Sequence, residues 1–373
     1  MSNKRSDYIN IFENIFLQGV RLNRNVGIKK LWKLSKVFRY ALFSYIKRWI
    51  LLRMKNFLAP VAIAFSPTMR CPLSCVGCYA SDYPIDNELS LEEIDRLFSS
   101  AKKIGVFIFL ITGGEPLMRE GILDLFQKHS ELLFLMITNG CLVNENVVKK
   151  ISSSGNIIPV ISIDGWKKQT DSRRGQGVYD QVENAMKLMR DQKLVFGFSS
   201  MVWSDNYEVL ASNEFIDEMI KRGCSLGFFT EYVPMGSDIR WNMVLNDTER
   251  EAFRQRVLEI RRNKPIMVAH LPDDEYGKDF KCRGVESGCV HINTQGYVEP
   301  CPFSHFSADN IKEKSLESAL RSKFLAEIRS SKAIYRHGHI GCALVENAEI
   351  VKRIAQKTGA KPTDCKHSVV VSS

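Results

Sequence analysis

Between residues 60 and 262, short apolar runs alternate with segments of helical periodicity, and the runs end in polar signatures. Ala62–Ser66 leads into a cysteine-containing loop, and Val106–Thr112 leads into Gly113-Gly114-Glu115-Pro116. Leu133–Thr138 ends in Asn139-Gly140, Ile157–Ile163 in Asp164-Gly165, and Leu226–Val233 at Pro234, with Leu194–Val202 as a further strand. Helices are expected over 90–105, 120–130, 143–153, 178–192, 212–222 and 247–262. Ser90 and Glu93 have the spacing of a capping box. Six such β/α units predict a parallel sheet with right-handed crossovers. Periodicity alone does not separate a barrel from an open doubly wound sheet. In a parallel barrel, chemistry gathers at the C-terminal ends of the strands. Thr138-Asn139, Ser162–Asp164, Ser199-Ser200 and Glu231–Pro234 all fall at that edge.

The loop after the first strand carries Cys71, Cys75 and Cys78, followed by Tyr79. Three thiolates at this spacing can hold three irons of a cubane cluster and leave the fourth open, whereas full sites usually supply four ligands. A zinc knuckle or a plain redox cluster is the competing reading. Gly113–Pro116 at the end of the next strand favours the cubane. With both motifs, the chain resembles the radical S-adenosylmethionine enzymes. The resemblance implies a partial (β/α)6 TIM-like barrel and a [4Fe-4S] cluster on Cys71, Cys75 and Cys78, with S-adenosylmethionine on the open iron. It implies Gly113, Gly114, Glu115 and Pro116 as the segment meeting the methionine amino group, with Gly114 and Glu115 foremost. It implies Ser162 and Asp164 near ribose or methionine, against a plain strand-end turn. Arg174, chosen over Arg173, would meet the methionine carboxylate, since a guanidinium fork suits an oxyanion. Tyr79 would lie near adenine, against ordinary core packing. A low-potential reductant such as flavodoxin or ferredoxin is implied as a partner.

Further on, Cys282 is followed by thirteen residues, Gly296, four residues and Cys301-Pro302. This spacing resembles the opening of the SPASM and shorter twitch extensions, which bind auxiliary iron–sulfur clusters. Ile292–Val298 predicts a hairpin turning at Gln295-Gly296. The later cysteine pattern of a full SPASM extension does not follow, and Cys342 and Cys365 remain downstream. One auxiliary [4Fe-4S] cluster on Cys282, Cys301 and Cys342 is therefore expected. Cys289 would be its fourth ligand, or that iron would be open to substrate. Cys365 is a weaker candidate, and incidental buried thiols are the plain alternative. Cys141 and Cys224 read as structural thiols. His291 and His305 read as satisfied polar groups, and Asp273-Asp274-Glu275 as a solvated loop more simply than as a carboxylate near substrate.

The net charge of +10 belongs to one segment: residues 1–59 hold thirteen Lys or Arg against Asp7 and Glu13. A helix is expected from about residue 28, with Leu31, Leu34, Phe38, Leu42, Tyr45, Trp49 and Leu52 as its apolar stripe and Lys29, Lys33, Lys36 and Lys47 largely off it. No uncharged apolar run is long enough to span a bilayer. A basic amphipathic helix suits an anionic membrane surface, here through residues 28–58. Packing on the barrel wall and contact with RNA phosphates are the alternatives. The expected organisation is a basic amphipathic segment over 1–59, the barrel over 60–265 and a cluster-binding extension over 266–373. Ten cysteines, no signal-peptide pattern and no Gly at position 2 fit thiolate ligands in a reducing cytoplasm, peripheral to the inner face of the membrane. The expected function is reductive cleavage of S-adenosylmethionine and hydrogen abstraction from a substrate the sequence does not identify, the basic segment favouring a lipid or membrane-held one. Modification of a peptide or RNA, or a non-catalytic electron carrier, are the alternatives.

Overall fold

The computed structural model describes residues 28–365, apart from 277, 278 and 339. A long helix, α1 (Ile28–Lys55), precedes β1 (Ala62–Phe65), α2 (Leu91–Ile104), β2 (Ile108–Ile111), α3 (Ile122–Lys128) and β3 (Leu133–Thr138). Then come α4 (Glu145–Ser154), β4 (Ile157–Ser162), α5 (Lys167–Arg174), α6 (Val178–Asp191) and β5 (Gly197–Val202). The series continues with α7 (Tyr207–Leu210), α8 (Asn213–Lys221), β6 (Leu226–Glu231), α9 (Asp247–Asn263) and β7 (Met267–Leu271). The C-terminal part holds β8 (Cys289–Ile292), β9 (Val298–Glu299), β10 (Phe306–Ser307), α10 (Leu316–Leu320), α11 (Lys323–Ser330), α12 (Ala343–Glu346), α13 (Ala348–Thr358) and β11 (Lys361–Pro362).

Strands β1 to β7 pair in order and in parallel, forming the partial barrel. On the far side of β1 lies β8, also parallel, with Ala62 opposite Cys289 and Phe65 opposite Ile292. β9 then folds back antiparallel on β8, which is the hairpin expected around Gln295-Gly296. Two elements of the barrel that escape sequence reading are β7 and α5. β7 is a five-residue strand that buries His270 beside Val268, so a polar residue interrupts its apolar pattern. α5 reads Lys-Lys-Gln-Thr-Asp-Ser-Arg-Arg and has no apolar stripe to reveal it.

Local chemistry sets the element ends. In α2, Glu93 N–H donates to Ser90 Oγ (3.2 Å) and Ser90 N–H to Glu93 Oε2 (2.8 Å), completing the capping box. The helix stops at Gly105, whose φ of +82° suits a residue without Cβ. Phe98 of α2 anchors one half of the core, with Phe65, Phe109, Phe126 and Phe134 at centroid distances of 4.8–5.9 Å. Gly227 in β6 lies under the Phe198 ring, where a Cβ would come within 2.5 Å of a ring carbon.

Helix α1 lies against α2. Tyr40 Oη donates to Lys102 O (2.5 Å), Ser44 Oγ to Gly105 O, and the Arg48 guanidinium to Ala59 O (2.9 and 3.1 Å). The buried face therefore runs through Val37, Tyr40, Ser44, Arg48 and Leu51. The apolar stripe expected to face membrane or barrel lies about a third of a turn round: Leu42, Tyr45, Trp49 and Leu52 are all exposed. The side chains of Leu31, Leu34 and Phe38, and of Lys29, Lys33 and Lys36, lie outside the described set. Polar anchors, not the apolar stripe, hold this helix, which is why the hydrophobic pattern misplaces its inner face.

Truncating Phe98 to Ala should cost about 3–5 kcal/mol, because five ring contacts vanish around one void. The check is the shift in denaturation midpoint, with Leu42→Ala on the exposed stripe expected to change stability by less than about 0.5 kcal/mol.

Candidate active site

The two loops that follow β1 and β2 are stapled together through their backbones. Gly114 N–H donates to Thr68 O and Glu115 N–H to Arg70 O, both at 2.9 Å. A Cβ at Gly114 would lie 2.4 Å from Arg70 O and 2.5 Å from Met69 O. The glycine is therefore required for the turn to reach the cysteine loop. Buried Glu115 accepts from Thr138 Oγ1 (2.8 Å), Asn139 N (2.7 Å) and Leu117 N (3.1 Å). Burial still holds its pKa above the usual carboxylate range. Asn139 in turn donates from Nδ2 toward Cys71 Sγ at 3.5 Å. Tyr79 shares a 2.8 Å hydrogen bond with Thr112 Oγ1 and accepts from Gly113 N (3.1 Å); burial pushes its phenol up to about 12. Its ring meets Phe303 edge-on at 5.7 Å.

Asp164, fully buried beyond β4, binds two guanidiniums. Arg173 Nη1 donates to it at 2.9 Å, and Arg174 Nε and Nη2 donate at 2.6 and 3.2 Å. Met201 N–H adds a fourth bond at 2.9 Å. Burial opposes ionisation, but the two arginines and these hydrogen bonds outweigh it and keep the pKa low. Helix α5 also grips the cysteine loop, since Val76 N–H donates to Arg173 O (3.0 Å). Burial raises the pKa of the Cys75 thiol, and the charges of Arg174 and Arg173 work against that rise. Arg173 keeps a buried Nε–H without a partner.

On the C-terminal side, Tyr276 and Cys282 face one another across an isolated β-bridge. Tyr276 Oη donates to Gly341 O (2.9 Å) and accepts from Ala343 N (2.7 Å), which fixes the segment carrying Cys342. Burial raises Cys282 and Cys301 well above the thiol range and Cys342 to about 11. The charges of Cys342, Glu275 and Cys282 add to the rise at Cys301, so the three thiols form one electrostatic group. Glu275 lies beside them, accepting from Cys282 Sγ at 3.7 Å. Burial pushes its pKa up to about 7. The sequence reading of Glu275 as solvated loop is corrected: its carboxylate faces inward.

One cavity of about 860 Å³ joins the two regions. Its wall includes Cys71, Cys75, Cys78, Tyr79, Gly113, Gly114, Ser162, Arg173 and Arg174 from the barrel, and Glu275, Cys282, Cys289 and Cys301 from the extension. Glu115, Pro116, Asp164 and Cys342 stand behind this wall. Glu115 and Asp164 therefore act on the cavity through the groups they hold. Sequence reading favours Arg174 over Arg173, but both line the cavity, and an Arg-Arg pair gives no means of separating them. His291 and His305 are satisfied polar groups, the former bound to Glu299 (2.5 Å) and Ser66 (2.8 Å). Cys224 is buried in the core and Cys141 lies beside Asn139.

Among the described residues, no group of three or more His, Cys, Asp or Glu side chains is arranged to grip a single metal ion. A cubane requires something else, because each thiolate binds its own iron and the sulfurs stay apart. Two sets of three cysteines around one cavity fit that demand. A family profile for the radical SAM superfamily matches residues 65–206, and a profile for an iron–sulfur cluster-binding domain, SPASM, matches 282–342.

The chain belongs to the radical SAM superfamily.

Its superfamily domain binds a [4Fe-4S] cluster and S-adenosylmethionine, and its C-terminal domain is of the kind that binds auxiliary iron–sulfur clusters. The Fe-coproporphyrin III synthase of Methanosarcina barkeri is 28% identical over 271 residues, covering 69% of this chain and 66% of that protein. The AdoMet-dependent heme synthase of the same organism is 29% identical over 286 residues, covering 69% and 80%. The PqqA peptide cyclase of Rhizobium meliloti is 27% identical over 288 residues, covering 71% and 74%. Among solved structures, Streptococcus suis SuiB bound to S-adenosylmethionine shares the fold, with a TM-score of 0.65 at 19% identity over 76% of this chain and 71% of that one.

Replacing Asp164 with Asn leaves two buried guanidiniums without their anion and should cost about 3–5 kcal/mol. Because the folded-state pKa is depressed, the parent's stabilisation is present above the ordinary value near 3.9 and is lost as pH falls through the lower folded value. The parent should therefore show an acid-side stability loss that the variant lacks. Denaturation midpoints measured across that pH window check both points.

Proposed function

We propose that this enzyme uses S-adenosylmethionine, held at the cluster of Cys71, Cys75 and Cys78, to abstract hydrogen from an amphiphilic organic substrate lodged in the cavity between the two cysteine sets. The carrying observation is that Cys71, Cys75 and Cys78 line the same cavity as Cys282 and Cys301. When bound, the reduced cluster and S-adenosylmethionine supply a 5′-deoxyadenosyl radical; the chain's residues bind, orient and exclude water. Gly113 and Gly114 offer close backbone approach. Arg173 and Arg174 supply cationic forks suited to a carboxylate. Tyr79, Met201, Val233 and Phe303 make the wall apolar. Among the described residues, no lysine lines the cavity, and its arginines are Arg70, Arg173 and Arg174. Two of these three are bound to Asp164. That argues against RNA, whose phosphates call for several free cations. Relatives named heme synthase and peptide cyclase support an organic substrate.

A second reading, of location, rests on α1. Leu42, Ile46, Trp49 and Ile50 are exposed on the face opposite α2, with Arg53 over the Trp49 ring at 5.6 Å. Exposed apolar and aromatic residues on a strongly basic segment suit an anionic bilayer surface. Among the described residues, no helix is long and apolar enough to cross a membrane.

Anaerobic reconstitution followed by reduction should give about eight irons per chain and 5′-deoxyadenosine from S-adenosylmethionine. The combined Cys71→Ala, Cys75→Ala and Cys78→Ala variant should hold about four irons and give no product. Iron without cleavage under several reductants would overturn the catalytic reading. For the membrane, the parent should sediment with anionic vesicles at low salt and not with zwitterionic ones. Trp49→Asp should weaken that binding roughly tenfold, since burying such a side chain contributes about 1.5–3 kcal/mol. Equal sedimentation of parent and variant would remove α1 as the membrane contact.

A further inference from the structure

The C-terminal cysteine set supplies three thiols, and a closed cubane asks for a fourth protein ligand. Two side chains are near enough to compete for the role. Cys289 begins β8, and its thiol donates to the carbonyl of Val290 at 3.5 Å. Glu275 lies near enough to raise the pKa of Cys289 as well as those of Cys282, Cys301 and Cys342. Its Oε2 accepts from Cys282 Sγ at 3.7 Å.

The backbone is shaped around this carboxylate. A Cβ at Gly284 would come within 2.7 Å of Glu275 Oε1, so the glycine makes room for the side chain as placed. The next residue, Tyr276, bridges to Cys282 on one side and holds Gly341 and Ala343, the neighbours of Cys342, on the other. Glu275 is thus fixed by the same contacts that fix two of the three cysteines. It lines the cavity, and no described lysine, arginine or histidine pairs with it. An inward carboxylate with no cation partner is costly unless a positive centre meets it. Carboxylate oxygens are competent, hard ligands for iron.

We propose that Glu275 is the fourth protein ligand of the auxiliary cluster, so that this cluster has a mixed coordination of three thiolates and one carboxylate. The proposal rests on the reading that Cys282, Cys301 and Cys342 hold that cluster. A carboxylate holds its iron less tightly than a thiolate does, so this iron is the one that an added ligand would reach.

The test uses the full chain carrying Cys71→Ala, Cys75→Ala and Cys78→Ala, so that the auxiliary cluster alone is observed. Glu275→Gln, Glu275→Cys and Cys289→Ala are each added to it. The readouts are iron content, the EPR spectrum of the reduced cluster with and without added cyanide, and the three-iron signal after mild oxidation. In the background chain, which keeps Glu275, cyanide should perturb the spectrum weakly. Glu275→Gln should give at least a several-fold larger cyanide response and earlier appearance of the three-iron signal. Glu275→Cys should restore resistance to both, and Cys289→Ala should leave the spectrum as in the background chain. Identical spectra with and without the Glu275→Gln substitution, or a change on Cys289→Ala equal to that of Glu275→Gln, would overturn the carboxylate ligand alone. Absence of iron from the background chain would overturn the cluster and its ligand together.

Discussion

Everything at this site depends on β8 lying parallel to β1. The register sets Ala62 opposite Cys289 and Phe65 opposite Ile292, and Ser66 N–H continues the ladder to Ile292 O at 3.0 Å. Parallel neighbours release their chains at the same edge of a sheet. The segment leaving β1 carries Cys71, Cys75 and Cys78, and the hairpin following β8 carries Cys301. That strand pairing sets the β8–β9 hairpin, with Cys289 and Cys301, alongside the strand that leads to Cys71, Cys75 and Cys78. Glu299 secures the joint from within. Its carboxylate binds His291 (2.5 Å), Tyr83 (2.8 Å), Asn293 (2.9 Å) and Thr363 (2.5 Å), tying barrel loop, hairpin and C-terminal segment into one buried network. Charge-assisted bonds in such a network are strong, and removing a member leaves the others unsatisfied.

The second constraint is electrostatic. Two guanidiniums share Asp164, so the Cys75 end of the cavity keeps an excess positive charge. That field favours thiolate over thiol and gives an anionic ligand group a counter-charge. The opposite end is acidic. Glu231 is compensated there: burial opposes its ionisation, but His270 and Arg250 outweigh burial and hold its pKa low. Glu275 has no such compensation among the described residues. The cavity thus carries its arginines at the barrel end and, among the described residues, none beside Glu275 at the extension end, and a substrate carboxylate would be drawn to the barrel end.

Much of this is legible in the sequence because the signals are local. β3 and the capping box of α2 follow from periodicity and a four-residue motif. The cysteine spacing and Gly113–Pro116 identify the cofactor chemistry because short loops preserve spacing. The unread parts depend on tertiary partners. β7 hides behind a buried histidine that only Glu231 explains, at 2.9 Å. α5 has no apolar face because its work is ionic. Glu275 sits in an acidic run, which in isolation reads as solvated, and only Gly284 and Tyr276 turn it inward. The inner face of α1 escapes for a related reason, since Tyr40, Ser44 and Arg48 bond to backbone carbonyls that sequence cannot place.

The position of α1 would also separate a membrane contact on that helix from the substrate cavity. Its anchors, Lys102, Gly105 and Ala59, all lie just before β1 and β2, at the N-terminal edge of the sheet. Cys71, Cys75 and Cys78 follow β1 at the C-terminal edge. Strands of four to six residues at about 3.3 Å each put roughly 13–20 Å of barrel between the two. A bilayer met by the exposed face of α1 would therefore lie on the side of the sheet away from Cys71, Cys75 and Cys78. Surface attachment would then confine the enzyme to a plane and fix its orientation, while recognition would be left to the cavity. This weakens the link between a basic amphipathic helix and a lipid substrate, since membrane contact on α1 and binding in the cavity would be separate events.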